Sequence, residues 1–131
     1  MINKIIYLPI EVKKREFDSR CYQALILINE GFKVSICKKS AINQYRYKMK
    51  PGLVYFKSSG PRYHNLMKEF KKLGHQNIML DEEGLFFNDE NLYSKRFYKK
   101  NFKYIDYILT WGKRDFLAIK KISKYSRIFN T

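Results

Sequence analysis

The sequence contains few of the residues that build metal centres and disulfide frameworks. Its 131 residues include only two cysteines and two histidines. Cys21 and Cys37 lie far apart without CxxC spacing, and each falls in an apolar periodic segment, so both are predicted to be small core residues. Neither histidine stands at ligand spacing to a cysteine or to the other histidine. The sequence therefore predicts no metal site and no disulfide, a pattern typical of a reducing, cytoplasmic setting.

Long apolar runs are missing as well. No stretch reaches the length of about 18 apolar residues that a membrane-spanning helix needs. The short apolar stretch with one lysine before Pro9 does not fit a secretory signal. Apolar residues still make up 45% of the chain, so a single folded domain with a hydrophobic core is expected.

Acids are scarce relative to bases. The chain has 12 Asp and Glu against 27 Lys and Arg, which gives a net charge of +15. Such a surface attracts nucleic acid, anionic lipid or anionic substrates. The alternative interpretation is that the lysines only solvate helix faces in a chain of biased composition. Residues 91–127 carry eleven Lys and Arg against two acids, which predicts weak, salt-sensitive attraction to an anionic membrane surface and a cytoplasmic protein that is peripheral at the inner face of the membrane.

Hydrophobic patterns alternate between strand and helix along the chain. Strands are predicted at 4–10, 32–37, 53–56, 77–80, within 104–111 and from 127, and helices at 18–30, 40–47, 58–73, within 90–103 and at 112–124. The first helix is predicted to begin with Asp18 as its N-cap and to turn Cys21, Ala24, Leu25 and Ile28 toward the core. The alternation predicts an α/β fold: a Rossmann-like three-layer sandwich with a parallel sheet of five to six strands, ordered 3-2-1-4-5, and helices on both faces.

Acidic residues follow two of the predicted strands. Glu11 follows the first strand, and Asp81, Glu82 and Glu83 follow the fourth. Ligands of open parallel sheets bind outside these carboxyl ends. Consecutive carboxylates repel one another, which favours keeping a proton on one of them and makes it a candidate general acid or base. These four acids are the predicted catalytic residues; the alternative interpretation is a solvated acidic loop that balances nearby lysines.

The predicted substrate-binding residues surround these acids. Arg15 and Arg20 are expected to hold an anionic group or to neutralise the acids. The other predicted binding residues are Asp18, Ser58, Ser59, Gly84, Trp111 and Gly112. Ser58 and Ser59 open the helix predicted at 58–73, where N–H groups can bind phosphate, but an ordinary helix cap is favoured because the lysine and the length of a P-loop are missing. Trp111 is either a core residue, the more frequent case, or a stacking platform. The absence of GxGxxG after the first strand argues against an NAD site of the usual kind.

Four segments, in this order along the chain, carry a resemblance to a known family. They read "LPIEVKKREFDSR", "GFKVSICKKS", "KKLGHQNIMLDEEGL" and "YILTWGKRD". They resemble the N-terminal portion of bacterial surface carbohydrate (polysaccharide) biosynthesis proteins, which are glycosyltransferase-like proteins of the two-domain GT-B architecture. The resemblance implies that residues 1–131 form a single Rossmann-like domain, the N-terminal (acceptor-side) half, and that the second (donor) domain is absent from this chain.

The same resemblance implies a function in cell-surface polysaccharide synthesis. The domain would hold a sugar or lipid-linked glycan acceptor at the carboxyl edge of the sheet, with the second glycosyltransferase domain as its partner. No cofactor is expected on this chain, which by itself would be inactive; a nucleotide-activated sugar is expected as the donor in the second domain.

Two other functions stay open from the sequence. The charge and the eleven tyrosines suggest a basic nucleic-acid-binding module, but no recognisable motif is present and no specific nucleic-acid partner is expected. The other is a non-catalytic subunit that pairs with a separately encoded sugar-binding half.

Overall fold

The computed structural model describes residues 4–84, 89–124 and 127–130. Strands and helices alternate in the order β1 (Ile5–Ile10), α1 (Lys13–Asn29), β2 (Lys33–Lys38), α2 (Lys39–Tyr45), β3 (Leu53–Phe56), α3 (His64–Lys72), β4 (Gln76–Leu80), α4 (Glu90–Lys95), β5 (Tyr107–Thr110), α5 (Lys113–Ile122) and β6 (Arg127–Asn130). Short 3-10 segments are formed by Arg46–Lys48, Pro61–Tyr63 and Lys99–Tyr104. Glycines at positive φ end α1 and α3, at Gly31 and Gly74, a conformation that side chains with a Cβ adopt at a cost.

The six strands form one parallel sheet in the order β2-β1-β3-β4-β5-β6. The predicted Rossmann-like α/β fold is confirmed, whereas the predicted order 3-2-1-4-5 is wrong, because β3 lies between β1 and β4. All four residues of β3 are buried, while β2 has exposed lysines at both ends. A strand that is apolar on both faces is stable inside a sheet, and a strand with charged ends is stable at an edge. The composition of the two strands thus gives the physical reason for the observed order.

Helices cover the two faces of the sheet unequally. On one face, Val54, Phe56, Met79 and Ile108 form a core with buried side chains from α2, α3, α4, α5 and the segments around residues 97–105. On the other face, α1 is the only helix among the described residues that packs in the apolar core, through Ala24 and the partly buried Leu27. Helices therefore lie on both faces, as predicted, with most of the buried core on the first.

Helix α1 begins at Lys13, five residues before the predicted start, so the predicted N-cap Asp18 is an exposed residue inside the helix. The run of straight-chain Lys, Arg and Glu at its start has high helix propensity but no apolar periodicity to reveal it. Leu25 and Ile28 are 62% and 53% exposed, so the predicted core face is wrong for both. The buried positions of α1 are Glu16, Arg20 and Ala24. Two of the three are charged, because the helix faces the charged end of the sheet.

The pairing of β1 with β3 is short. It covers only Ile6 and Tyr7, although β1 pairs with β2 along its full length. Pro9 has no N–H group to donate to a ladder, so the two ladders of β1 end at different points. At the carboxyl ends of β1 and β3, side chains rather than backbone bonds join the two strands.

None of the helices in the described ranges is long and apolar enough to cross a lipid bilayer.

Candidate functional site

The strand order places the topological switch point between β1 and β3. From β1 the chain moves outward to β2, and from β3 it moves outward in the opposite direction to β4, β5 and β6. Ligands of open α/β sheets bind in the crevice outside the carboxyl ends of the two strands at such a point. Glu11 follows β1 and Lys57 follows β3, so these two residues lie at the centre of the candidate site.

Glu11 is held by three donors. Its Oε1 accepts hydrogen bonds from Lys39 Nζ at 2.7 Å and from the Tyr63 hydroxyl at 2.8 Å, and its Oε2 pairs with Lys57 Nζ at 2.7 Å. Partial burial by itself raises the pKa of Glu11, but the bonds from Lys39, Lys57 and Tyr63 outweigh it and lower the pKa to about 2. Glu11 is therefore a carboxylate at neutral pH, and it retains acceptor capacity for one further donor, since a carboxylate offers about four acceptor positions.

Tyr63 lies on the other side of this contact. Burial and the bond to Glu11 raise the pKa of Tyr63 to about 12, so the phenol stays protonated and donates. Lys39 Nζ and the guanidinium of Arg62 lie over its ring, at 4.2 and 4.8 Å from the ring centre. The aromatic ring thus fixes the position of two cations beside Glu11.

Glu16 extends the network into α1. Its side chain is 7% exposed and accepts hydrogen bonds from Lys57 Nζ at 3.0 Å and from the backbone N–H of Glu11 at 2.9 Å. Burial acts to raise the pKa of Glu16, but these bonds and that from Arg15 lower it. Glu16 therefore ties the first turn of α1 to the loop after β1, in the place of a side-chain N-cap.

An open cleft of about 680 Å³ lies beside Glu11. It is lined by Ile10, Glu11, Lys38, Lys39, Ser40, Asn43, Arg46, Arg62, Tyr63, Asn65, Leu66 and Glu69. We call it the switch-point cleft. Its volume is in the range of small-molecule sites, roughly 300–1,000 Å³. Its walls come from α2, the start of α3 and the ends of β1 and β2, and ten of its twelve lining residues carry a charged or hydrogen-bonding side chain.

A second, buried ion pair lies on the α1 side of the sheet. Arg20 is 3% exposed at its side chain and bonds to Glu82 Oε1 at 2.5 Å, while the Tyr55 hydroxyl donates to the same oxygen at 2.8 Å. The Arg20 guanidinium also stacks on the Tyr55 ring, 4.5 Å from its centre. Burial lowers the pKa of Arg20, but the contacts with Glu82 and Tyr55 raise it above its usual value. Glu82 thus anchors α1 to the end of β4.

Asp81 takes part in a third arrangement. It is 4% exposed and accepts two hydrogen bonds from Arg96, at 2.8 and 3.0 Å. Its backbone carbonyl accepts a hydrogen bond from the Trp111 indole N–H at 2.8 Å. Trp111 is 40% exposed and is therefore a residue of the rim of the sheet rather than of the core. These contacts join the ends of β4 and β5 to the segment after α4.

Glu83 and Arg15 are the exposed members of the predicted set. The Glu83 side chain is 78% exposed and lies 3.7 Å from Arg96, and the Arg15 side chain is 65% exposed and bonds to Glu16. Both line a second depression of about 320 Å³, with Glu16, Ser19, Lys57, Ser58, Arg62 and Glu82. Arg62 lines both this depression and the switch-point cleft. Lys57 lines the depression and pairs with Glu11 of the cleft, so these two side chains connect the two regions.

The remaining predicted site residues have local roles. Ser58 Oγ accepts a hydrogen bond from the Gly60 N–H, and the buried Ser59 uses its carbonyl to accept one from the Asn101 side chain, so neither caps α3 with its side chain. A Cβ at Gly84 would meet Asp81 Oδ2 at 2.8 Å and the Tyr93 ring at 2.9 Å. Gly112 donates its N–H to Asp115 at the start of α5.

The predicted meeting of Arg20 with the acids after β4 is confirmed at Glu82, and Arg15 lines the same depression as Glu82 and Glu83. The predicted direct meeting of Glu11 with the acids after β4 does not occur, because β3 separates β1 from β4. Lys57 lies between them: its Nζ pairs with Glu11, and its carbonyl accepts a hydrogen bond from the Glu82 N–H at 3.3 Å.

No protein-family model matches this sequence, and no curated protein or solved structure matches it at a significant level.

Sequence reasoning missed five residues of the site. They are Glu16, Lys39, Lys57, Arg62 and Tyr63. Lys57 was detectable, because a lysine directly after a wholly apolar strand stands at the carboxyl edge of the sheet. Tyr63 fits the apolar face of its helix, so only the structure shows that its hydroxyl reaches Glu11.

Within the described ranges, no group of three or more His, Cys, Asp or Glu side chains is placed to hold a metal ion.

Proposed function

We propose that this chain is the acceptor-side half of a glycosyltransferase-like protein of cell-surface polysaccharide synthesis, and that it binds a hydroxyl-bearing, negatively charged acceptor in the switch-point cleft. The observation that carries the proposal is the cleft of about 680 Å³ beside Glu11, at the edge where open α/β sheets bind ligands. The link to polysaccharide synthesis is supported by the sequence resemblance.

The charges of the cleft favour an anionic ligand. Four cations, Lys38, Lys39, Arg46 and Arg62, face two carboxylates across it. Arg46 is paired with Glu69, and Lys39 with Glu11. The Arg62 side chain is 64% exposed and lies 4.0 Å from Glu11, so it is the cation best placed to engage a carboxylate or phosphate of a sugar.

Hydroxyl recognition is supplied by neighbouring polar groups. Glu11 has acceptor capacity left for a sugar hydroxyl, and the side chains of Asn43 and Asn65 offer both donors and acceptors. Because the pKa of Glu11 is about 2, its role in this proposal is to orient a hydroxyl rather than to remove its proton at neutral pH. Among the four predicted catalytic acids, Glu83 is the most exposed to an approaching ligand.

An NMR titration of the whole chain tests the proposal. Glucose 1-phosphate serves as the probe, and glucose and inorganic phosphate serve as controls for the two halves of its chemistry. We expect backbone amide shifts to change at Lys39, Arg62 and Asn65, with tighter binding of glucose 1-phosphate than of either control. The Arg62→Ala variant should weaken binding about tenfold, the effect of losing a charge-assisted hydrogen bond. Arg127→Ala, an exposed arginine on β6, should leave it unchanged.

Shifts that cluster away from the switch-point cleft, or the same affinity for inorganic phosphate as for the sugar phosphate, would contradict an acceptor site there.

A further inference from the structure

Helices α4 and α5 and the 3-10 segment between them present a strongly basic surface. Its exposed lysines are Lys95, Lys99, Lys100, Lys103, Lys113 and Lys120, and we call this surface the basic face. Helices α4 and α5 pack against each other, and both bury their apolar sides in the same core on one side of the sheet. The exposed sides of α4 and α5 therefore adjoin on that side of the molecule, and Lys99 and Lys100 of the 3-10 segment border one depression together with Lys95 of α4.

The two acids between Lys95 and Lys120 in the sequence, Asp106 and Asp115, are bound to other groups. Asp106 accepts hydrogen bonds from Lys71 Nζ and from the backbone N–H of Asn77, at 2.6 and 2.8 Å. Asp115 is 4% exposed and accepts from the N–H groups of Trp111 and Gly112 at the start of α5. Across the described residues, no salt bridge joins a carboxylate to any of the six lysines of the basic face.

Two leucines project among these cations. Leu117 is 44% exposed and has Lys113 four residues before it and Lys120 three residues after it, so all three share the outer face of α5. Leu92 is 61% exposed and precedes Lys95 by one turn on α4. Helices that lie on anionic bilayers have exposed apolar side chains flanked by lysines. The apolar groups enter the membrane interface, and the cations contact the lipid headgroups.

We propose that the basic face docks on an anionic lipid bilayer. Charge complementarity selects a polyanionic partner, and the exposed leucines select a partner with an apolar layer beneath its charges. A nucleic acid would instead favour exposed aromatic rings for base stacking. Among the described residues, no exposed aromatic side chain lies on α4, on α5 or in the 3-10 segment between them: Tyr22, Tyr45 and Tyr47 lie on α1, on α2 and just after α2, and Trp111 and Phe129 lie after β5 and on β6. This docking does not depend on a sugar or on the switch-point cleft.

Vesicle sedimentation of the whole chain tests the proposal. The vesicles are pure phosphatidylcholine, or phosphatidylcholine with about 30 mol% phosphatidylglycerol, which gives the surface a negative potential. Binding is expected to the anionic vesicles only and should weaken as NaCl is added. The basic-face variant replaces Lys95, Lys99, Lys100 and Lys103 by Gln. Each lysine that meets the surface contributes roughly fivefold to partitioning, so this variant should bind at least about tenfold more weakly.

Two further variants separate the surface from the overall charge. The matched control replaces Lys13, Lys14, Lys33 and Lys48 by Gln, which removes the same charge from exposed positions on α1, β2 and the segment after α2. It should retain most of the binding. The double variant Leu92→Ser/Leu117→Ser keeps every charge and should bind anionic vesicles several-fold more weakly. Circular dichroism confirms that each variant is folded.

Three results would overturn the proposal. One is equal loss of binding in the basic-face and control variants, which would show a general charge effect. Another is equal binding to neutral and anionic vesicles. The third is tighter binding, in the same buffer, to a single-stranded oligonucleotide than to the vesicles, with loss in the basic-face variant, because this surface would then belong to a nucleic acid.

Discussion

Three consecutive carboxylates after β4 lie in three different environments. Asp81 is buried against Arg96, Glu82 is bound by Arg20 and Tyr55, and Glu83 is mostly exposed. Repulsion between neighbouring acids in the sequence is offset because each of them lies near a cation: Arg20 pairs with Glu82, and Arg96 pairs closely with Asp81 and at 3.7 Å with Glu83. The acidic run is therefore partly a scaffold of the candidate site, and only the third acid is free to face a ligand from solvent.

Gly84 supports this arrangement by its lack of a side chain. A Cβ there would approach Asp81 Oδ2 to 2.8 Å and the Tyr93 ring to 2.9 Å. We expect Gly84→Ala to lower the free energy of unfolding by about 1–3 kcal/mol, the cost of overpacking a tight site. Urea unfolding measures the effect. The matched control is Gly112→Ala, where an added Cβ meets no atom within 4 Å and the extended backbone suits any residue, so the cost should stay below about 1 kcal/mol. Equal costs at the two glycines would refute this account of Gly84.

Glu11 should make the fold sensitive to acid. Its pKa is about 2 in the folded chain against an ordinary value of 4.5, so its contribution to stability is complete above pH 4.5 and is lost as the pH falls toward 2. We expect Glu11→Gln to lower the Tm at pH 6 and to show a smaller further decrease between pH 6 and pH 3 than the unmodified chain. Circular dichroism melting at several pH values measures both effects.

The control for this prediction is Glu30→Gln, which removes an exposed carboxylate at the end of α1. It should leave the acid dependence of the Tm unchanged. An acid profile of Glu11→Gln that parallels that of the unmodified chain would show that Glu11 does not supply this pH dependence.

At the scale of elements, charge rather than apolar contact fixes the first half of α1. Glu16 and Arg20 are buried one helical turn apart, and each reaches the end of a different strand, through Lys57 after β3 and Glu82 after β4. Most of the exposed apolar residues of the same helix lie in its second half, where Leu25 and Ile28 face outward. The helix is thus oriented by two buried ion pairs at the carboxyl edge.

Two arginines of α1 allow a matched test of this anchoring. Arg20→Ala leaves Glu82 without its cation beside a buried tyrosine and should lower the free energy of unfolding by roughly 3 kcal/mol, in the range for breaking a buried pair. Arg15 is 65% exposed at its side chain, so Arg15→Ala should cost less than about 1 kcal/mol. Chemical denaturation of both variants gives the comparison. Similar small losses would show that α1 is held by its apolar contacts instead.

At the scale of the whole molecule, the net charge of +15 acts against the compact state. The buried ion pairs are screened little by salt, whereas repulsion among exposed lysines is screened strongly. We therefore expect the Tm to rise as NaCl is increased from about 10 mM to 150 mM, over which the Debye length falls from about 30 Å to about 8 Å. The variant with Gln at Lys95, Lys99, Lys100 and Lys103 should show a smaller rise.

A Tm that falls over the same salt range would contradict this expectation. It would mean that attraction within the ion-pair network at the carboxyl edge outweighs the general repulsion.

The sequence by itself determined the local elements and the edge at which charge collects. Strand and helix periods are local properties. Each strand predicted from a short apolar run lies within a few residues of the observed strand. Because all strands of an alternating α/β chain run parallel, Glu11 and the acids at 81–83 had to lie at the same edge. That much follows without knowing which strand pairs with which.

Only the tertiary structure decided which of these charges meet. Strand order depends on pairing between segments far apart in sequence, and placing β3 between β1 and β4 put Lys57 between Glu11 and Glu82. The start of α1 could not be predicted from hydrophobic periodicity either, because the buried residues in its first half are charged. Long side chains such as Arg20 extend several ångströms from their helix. Their partners are therefore determined by tertiary packing and cannot be predicted from the local spacing of residues in the sequence.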